Sequence, residues 1–305
     1  MVDDSVMFLS ACGRPVGAEE ISHAQELMRL FPRLSRRELA LTLCEHWGWL
    51  GATGQPQRRA CEKLLERLEK EGLLELPAKR TATARRARSS GVDVAGPAPA
   101  PGALVEADLG EILPVGLEAV AGHEPTALWN ALVQRYHPLG YKRPFGCSLR
   151  YFITSARGRL GCLLMASGAR ALRSRDEWIG WSAQQRLANL PLVVNNSRFL
   201  VFPWICVKLL ASHVLGRLAR HVREDWHARW GYRPVLMETF VDPSKHRGIC
   251  YRAAGWIELG KTSGEGLKLR GHSYHTNQKL IFVRPLVRDF RASLLSEPQS
   301  RSAQP

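Results

Sequence analysis

Apolar residues at helical spacing predict three helices near the start of the chain. They recur every three or four positions over residues 18–30, 36–47 and 57–71, so each helix is expected to bury one face. Ser35, followed three residues later by Glu38, matches a capping box, which marks the start of the second helix. This part of the chain is therefore predicted to be a helical module.

A short apolar run at 72–77 follows the third helix and predicts a strand. Three helices and a strand in this order are typical of a winged helix-turn-helix, so residues 1–77 are expected to form a winged-helix-like module. Its last helix would present Arg58, Arg59 and Lys63 to DNA. The alternative is a packing or dimerisation module. The 10 basic and 12 acidic residues of this segment favour that alternative.

Residues 78–104 break the apolar pattern. They are rich in Ala, Pro, Gly, Ser and Arg and have no periodic apolar positions. Such a composition is typical of a flexible linker, which would separate two folded units.

The apolar pattern resumes after the linker and mixes helical and strand periods. Helices are predicted at residues 124–136, 204–230 and 245–254, and strands at 148–156, 160–167, 199–203, 235–241, 256–259 and 279–283. This order predicts an α/β domain with a mixed sheet flanked by helices over residues 105–290. Residues 291–305 are expected to be a disordered tail.

The net charge of the chain indicates which class of partner it binds. The 305 residues carry a net charge of +15, and residues 151–305 alone hold 24 basic and 10 acidic side chains. A basic run at Arg157, Arg159, Arg170, Arg173 and Arg175 contributes to this surplus. Such an excess favours a polyanionic partner, and we expect DNA to bind to the C-terminal domain.

The seven cysteines include no CxxC pair, so neither a disulfide framework nor a structural zinc site is expected. The first ten residues carry two acidic side chains where a secretion signal needs basic ones. No segment has the roughly 18 consecutive apolar residues of a membrane span. These features predict a cytoplasmic protein without a membrane partner.

Several long motifs, in order, resemble the DruA family of Druantia anti-phage defence components and its uncharacterised relatives. They are FPRLSRRELALTLCEHWGW (31–49), RRACEKLLERLEKEGLLELP (58–77), VVNNSRFLVFPW (193–204), LLASHVLGRLARHVREDW (209–226) and YRPVLMETFVDPSKHRGICYRAAGWIELGKTSG (232–264). The resemblance implies a prokaryotic defence protein with companion subunits, including a large helicase-like protein. Together with the charge, it makes phage or mobile-element DNA the expected partner. A role in a mobile element is a variant of this expectation.

The C-terminal block also resembles, more distantly, the acetyltransferase fold of the GNAT superfamily. That resemblance implies a GNAT-like sheet and places Tyr251 where the superfamily often has a general acid. The superfamily binds the pyrophosphate of coenzyme A in a glycine-rich turn, but the corresponding turn, residues 207–213, has no glycine. Acetyl-CoA is therefore not the expected cofactor, and acetyl transfer is kept only as an alternative.

Other side chains are candidates for chemistry. Glu238 and Asp242 are four residues apart at the end of a predicted strand and would face one side, where they could hold Mg²⁺ for DNA cleavage or strand transfer. The alternative is a turn at Asp242 and an ion pair for Glu238. His213 is a candidate proton acceptor or phosphate contact, or an ordinary half-buried histidine.

The remaining candidates are expected to contact nucleic acid. They are Asn195, Asn196, Arg198, Lys208, Arg217, Arg220, Arg247, Arg252, Lys268 and Arg270. Asn195, Asn196 and Arg198 could instead cap a turn, and the basic residues could form a solvated face. For Tyr251 the alternative is a core tyrosine whose hydroxyl finds a backbone partner. The leading prediction is a DNA-binding defence protein without an assigned catalytic activity. The alternatives are a transposon-associated, metal-dependent nuclease or strand-transfer enzyme and an acetyl-CoA-dependent acyltransferase.

Overall fold

The chain forms two compact units. One comprises residues 1–85 with 143–147, and the other comprises residues 86–142 with 148–305. The computed structural model describes residues 9–11, 14–31, 34–47, 49, 56–78, 99–144, 146–170, 172–264 and 277–296. Most of the predicted linker, residues 79–98, lies outside the described residues.

The first unit contains a small hairpin and three helices. Strands β1 (Leu9–Ala11) and β2 (Arg14–Val16) pair antiparallel, and helices α1 (Ala18–Leu30), α2 (Arg36–His46) and α3 (Arg58–Lys70) follow. The three predicted helices are confirmed. The hairpin was not predicted.

The start of α2 has the predicted capping box. The amide of Ser35 donates to Oε2 of Glu38 at 2.9 Å, and the amide of Glu38 donates to Oγ of Ser35 at 3.3 Å. Two amides at the helix start that have no partner within the helix are thereby satisfied. The apolar stripes face inward, and Leu43 and Leu68 are buried.

The strand predicted at 72–77 is wrong, because the segment begins with a turn at Gly72 and forms no strand within the described residues. Side chains of α2 and α3 bind backbone groups of this segment that a neighbouring strand would otherwise bind. Glu69 accepts the amide of Leu76 at 3.2 Å, and Arg36 donates to the carbonyl of Pro77 at 2.7 Å while pairing with Glu69. The helical module is therefore observed, and the winged-helix assignment stays a prediction.

The second unit is built on a seven-stranded mixed sheet. Its strands are β4 (Gly116–Ala119), β5 (Ser148–Ser155), β6 (Gly158–Ser167), β7 (Val193–Val201), β9 (Leu236–Val241), β10 (Ile257–Lys261) and β11 (Leu280–Pro285), in the order β10-β11-β9-β7-β6-β5-β4. Strands β3 (Val105–Ala107) and β8 (Ile205–Val207) form a separate parallel pair. The predicted α/β class is confirmed.

Helices cover both faces of this sheet. They are α4 (His123–Tyr136), α5 (Arg173–Ile179), α6 (Ala183–Asn189), α7 (Leu210–Trp230), α8 (Ile249–Ala253) and α9 (Phe290–Leu294), with short 3-10 helices at Leu109–Ile112 and Leu190–Leu192. Arg150 of β5 contacts Asn130 of α4, whereas the neighbouring Tyr151 donates to Asp225 of α7. Successive strand residues point to opposite faces, so α4 and α7 lie on opposite sides.

Strands β7 and β9 form the one parallel pair described in the large sheet. Helix α7 lies between them in sequence and supplies the crossover that such a pair needs. Their pairing runs from Val193 with Leu236 to Asn195 with Glu238, and no further pair is described along the rest of either strand. We call the region between Asn196–Val201 of β7 and Thr239–Val241 of β9 the strand gap.

The sequence placed most of these elements correctly but missed the beginning of β7. That strand was expected at 199–203 and begins at Val193. The helix predicted at 245–254 is shorter, Ile249–Ala253. Strands β3, β4 and β8 and helices α5, α6 and α9 were not predicted.

Two predicted boundaries of the C-terminal domain also change. Residues before 105 belong to the fold, because the hydroxyl of Tyr136 donates to the carbonyl of Pro99 at 2.6 Å. Helix α9 extends the fold beyond 290, and Asn189 donates to the carbonyls of Leu294 and Ser296, each at 2.9 Å. Residues 297–305 of the predicted tail lie outside the described residues. In the described part of the chain, no helix is both long and apolar enough to cross a membrane.

Candidate functional site

The strand gap is bridged by Tyr251 and Asn196. The hydroxyl of Tyr251 donates to Oδ1 of Asn196 at 2.9 Å, and the hydroxyl of Thr239 donates to the carbonyl of Asn196 at 2.9 Å. All three residues are buried. Tyr251, which the GNAT resemblance places where a general acid is often found, and Asn196, an expected nucleic-acid contact, therefore bind each other directly.

Aromatic rings hold Tyr251 in place. Its ring stacks on Phe282 with centroids 5.6 Å apart and meets Trp256 edge-on at 5.2 Å. Burial raises the pKa of the Tyr251 hydroxyl well above its usual range. Tyr251 thus stays protonated and acts as a hydrogen-bond donor within the fold.

Glu238 is fully buried in an ion pair. Its Oε2 lies 2.8 Å from Nη1 of Arg175, and its Oε1 accepts the amide of Ala169 at 2.6 Å. Arg175 also lies 2.7 Å from Asp176. The inclusion of Arg175 in an exposed basic run is wrong, because its side chain is fully buried and its charge is neutralised.

Asp242 has a different and local role. Its Oδ1 accepts the amide of Ser244 at 3.0 Å and the Ser244 hydroxyl at 2.6 Å, and these bonds lower the pKa of the Asp242 carboxyl. Glu238 and Asp242 are each bound to separate protein groups. Among the residues that the structure describes, no group of three or more His, Cys, Asp or Glu side chains is placed to hold a metal ion.

The turn before α7 adopts a left-handed conformation at Leu209, with φ 63°. A glycine would take this conformation more readily, because it has no side chain to crowd the backbone. The Leu209 carbonyl accepts the amide of His213 at 3.0 Å, which starts the helix. Lys208 and Leu209 are both exposed beside this helix start.

Helix α7 carries a row of basic side chains that β11 extends. We call His213, Arg217, Arg220 and Arg284 the α7 basic cluster. Burial and then Arg217 and Arg220 lower the pKa of His213, and burial and then Arg220 lower the pKa of Arg284. His213 and Arg284 therefore both lie close to positively charged side chains.

Two nitrogen atoms of the α7 basic cluster are buried without a hydrogen-bond partner in the described residues: Nε2 of His213 and Nε of Arg217. In the same part of the chain, no carboxylate forms an ion pair with Arg217 or Arg220. The cluster is thus an uncompensated positive surface. It brings together three of the predicted site residues.

The other predicted contacts are more dispersed. Arg247 is exposed, whereas Arg252 is paired with Glu258 and donates to the Arg247 carbonyl at 2.5 Å. Oδ1 of Asn195 is buried and has no hydrogen-bond partner within the described residues. Lys268 and Arg270 lie outside the described residues.

Arg198 belongs to a second basic group, which the sequence did not indicate. It lies on β7 and acts on His137 in the turn after α4, as do Lys245 and His246 in the turn after β9. Burial, and then Arg198, His246 and Lys245, lower the pKa of His137 to about 4. We call these four residues the His137 cluster. A sequence pattern has no signal for it, because its members are brought together only by the fold.

In the first unit, the predicted DNA contacts differ from one another. Arg58 is paired with Glu62 at 2.5 Å, whereas Arg59 and Lys63 are exposed. The latter two line a groove of about 450 Å³ with Arg36, Arg37, Glu62 and Glu66. This groove is of mixed charge.

Solved structures similar to this chain are acetyltransferases and related acyl-transfer proteins. The aminoglycoside acetyltransferase AAC(6')-Ib, in complex with coenzyme A and kanamycin, is 15% identical and has a TM-score of 0.37, covering 56% of this chain and 94% of its own. An N-acetyltransferase from Staphylococcus aureus Mu50 is 10% identical with a TM-score of 0.34, covering 56% and 97%. FeeM, an N-acyl amino acid synthase from uncultured soil microbes, is 10% identical with a TM-score of 0.35, covering 59% and 93%.

These similarities say nothing about what this chain binds. Among curated proteins, no match to the chain is found. A family model described as "Druantia protein DruA" matches residues 67–270, which is about two-thirds of the sequence.

Proposed function

Because the chain belongs to the Druantia protein DruA family, we propose that it is an anti-phage defence component that binds nucleic-acid phosphates through the α7 basic cluster. The resemblance to this family supports the defence role. DNA of phages or mobile elements is the proposed partner, together with other subunits of the defence system, including a helicase-like protein.

The uncompensated charge of the α7 basic cluster is the observation that carries the binding proposal. Three basic side chains lie on α7 and one lies on β11. Burial and then Arg217 and Arg220 lower the pKa of His213, and burial and then Arg220 lower the pKa of Arg284. Like charges in proximity destabilise the folded protein. A phosphate bound at the exposed Arg220 and the half-buried Arg217 and Arg284 would relieve this repulsion.

The beginning of α7 adds to the positive potential. A helix start carries a partial positive charge and free amides, which favour a phosphate close to Lys208. In the first unit, Arg59 and Lys63 provide a second, weaker set of contacts. Two contacts on one chain would raise the affinity for a long polyanion more than either alone.

The catalytic alternatives have less support. Nuclease activity through Glu238 and acyl transfer through Tyr251 both need a side chain that can reach a substrate. Glu238 is buried in its ion pair with Arg175, and the Tyr251 hydroxyl is bound to Asn196. Binding without chemistry is therefore the function that the site supports best.

The test compares the wild-type protein with the double variant Arg217→Gln/Arg220→Gln, using fluorescence anisotropy of a labelled DNA duplex. We expect the double variant to bind at least about tenfold more weakly, since each phosphate contact contributes to affinity. The matched control is Arg173→Gln/Arg233→Gln. It removes two exposed arginines that already have carboxylate partners, Glu177 and Glu224. Equal affinity in wild type and the α7 variant would contradict the proposal.

A further inference from the structure

The His137 cluster begins at a turn that is fastened to the sheet. After α4, the amide of Gly140 donates to the carbonyl of His137 at 2.8 Å, and the amide of Leu139 donates to Nδ1 of the same histidine at 3.1 Å. Nε of Arg198 on β7 then donates to the Gly140 carbonyl at 2.8 Å. These bonds fix the arginine and the histidine relative to each other.

The turn after β9 supplies the other two members. The amides of Lys245 and His246 both donate to the carbonyl of Asp242, at 3.1 and 2.9 Å. The last described pair of the parallel strands β7 and β9 is Asn195 with Glu238, so Arg198 and the turn after β9 both follow that pair in the same direction. Lys245, His246 and Arg198 all act electrostatically on His137. Three separate elements thus place basic groups around one histidine.

The acidic groups near the cluster neutralise only part of its charge. Asp242 is the carboxylate in the turn after β9, and its oxygen is bound to Ser244 while Lys245 and Lys279 lower its pKa further. The guanidinium of Arg198 is bound to the carbonyls of Gly140 and Ser197. Within the described residues it has no carboxylate partner.

The Arg198 guanidinium has one nitrogen atom, Nη2, that is available to bind a ligand. Its Nε and Nη1 are used by the two carbonyls, and Nη2 makes no hydrogen bond to any described residue. Ser197 is at a β-bulge next to it, and the buried hydroxyl of Ser197 has no hydrogen-bond partner within the described chain. Bulges redirect side chains and occur often beside binding sites.

A half-buried arginine with an exposed lysine at the rim favours a compact anion of high charge. Arg198 is half-buried, and Lys245 and His246 are exposed at the rim. The half-buried His137 has a pKa of about 4 and is neutral at pH 7, so it offers the anion a ring N–H rather than a charge. A phosphate monoester carries about −1.5 to −2 charges at pH 7 and three strong acceptor oxygens, whereas an internal phosphodiester carries about one charge. The monoester is the better match in size and charge for a recessed site.

We propose that the His137 cluster is a binding site for a phosphate monoester, with Arg198 and Ser197 at its base and Lys245 and His246 at its rim. The site is distinct from the α7 basic cluster. The proposed function makes a terminal phosphate of nucleic acid the expected source, so this choice of source rests on that function. A free nucleotide is the other source of the same chemical group.

The experiment measures the affinity of the full chain for three probes by competition. The probes are a hairpin DNA with a 5′-phosphate, the same hairpin with a 5′-hydroxyl, and adenosine monophosphate. We expect the wild-type protein to prefer the phosphorylated hairpin by about tenfold. The double variant Lys245→Gln/His246→Gln should reduce this preference to less than about threefold without changing the affinity for the hydroxyl hairpin. Its changes are at exposed side chains, so folding is preserved.

The control is Arg157→Gln, which also removes about one charge from an exposed position. It should keep the full preference for the phosphorylated end. An equal affinity of wild type for the two hairpins would overturn the proposal, as would an equal loss in the control. Binding of the monophosphate to wild type but not to the double variant, with no DNA binding, would support the site and contradict the proposed function. Failure of all three probes would contradict both.

Discussion

The hydroxyl of Tyr251 donates a hydrogen bond to Oδ1 of Asn196 at 2.9 Å and joins helix α8 to strand β7 across the strand gap. The two residues are 55 positions apart in sequence. Both are candidate site residues from the sequence, yet the polar atoms of the two side chains are bound to each other. The buried Asn196 therefore stabilises the fold.

Removing the Tyr251 hydroxyl should therefore reduce stability. Tyr251→Phe leaves Oδ1 of Asn196 buried without its donor, and we expect a loss of roughly 1–3 kcal/mol in the free energy of unfolding, measured by urea denaturation. The control Tyr136→Phe removes a half-buried bond to Pro99 and should cost less. DNA affinity should stay unchanged in both. A variant of normal stability that loses function would indicate instead that Tyr251 acts on a substrate.

The buried ion pair gives a second prediction. Glu238→Gln leaves Arg175 buried without one of its two carboxylates, which should cost roughly 3–5 kcal/mol of stability. Asp242→Asn changes an exposed turn and should cost less than about 1 kcal/mol. Thermal and urea unfolding of both variants would test this difference. If the two carboxylates shared a metal in a nuclease, both variants would abolish DNA cleavage, and stability would change little.

Local sequence signals were sufficient for most elements of the fold. The capping box of Ser35 and Glu38 marked the start of α2 correctly, and the apolar stripe of α7 gave the long helix, because both depend on residues within a few turns. The start of β7 was missed for a physical reason. Its polar side chains are satisfied by distant partners, such as Tyr251 for Asn196, which a local pattern does not contain.

The candidate site residues also divide into those that local sequence identifies and those that depend on distant partners. Arg217 and Arg220 were identified from one face of a helix, and the structure places them together. Arg175 looked like part of an exposed basic run because its partner, Glu238, follows 63 residues later. His137 had no sequence signal, since its positive neighbours come from β7 and from the turn after β9.

The His137 cluster predicts a pH dependence of stability. In the folded protein the pKa of His137 is about 4, whereas the ordinary value is 6.5. As the pH falls from 6.5 towards 4, the unfolded chain binds a proton that the folded protein does not, so stability decreases. His137→Asn keeps an acceptor for the Leu139 amide and removes this titration.

The measurement is the free energy of unfolding of wild type and His137→Asn at pH 7 and pH 4.5. Relative to wild type, the variant should gain about 1–2 kcal/mol between these two pH values, after allowance for solvent screening. A difference that does not depend on pH would contradict the assigned surroundings of His137.

The turn before α7 predicts a stabilising substitution. Leu209 has a left-handed backbone and a side chain that is 72% exposed, so Leu209→Gly relieves strain and loses little burial. We expect a gain of roughly 0.5–1 kcal/mol by urea denaturation. Lys208→Gly, at an exposed neighbour without a positive φ, should be destabilising instead. If Leu209→Gly were less stable than wild type and Lys208→Gly more stable, Leu209 would not be strained.

The salt dependence of DNA binding by the wild-type protein tests whether the α7 basic cluster contacts phosphates. Phosphate contacts by the α7 basic cluster release counterions, so log K should fall linearly with log salt by about 0.9 for each contact. With three or more cations engaged, we expect a slope of about −3 or steeper between roughly 50 and 300 mM salt. No binding at about 50 mM salt, or a slope near zero, would contradict the account.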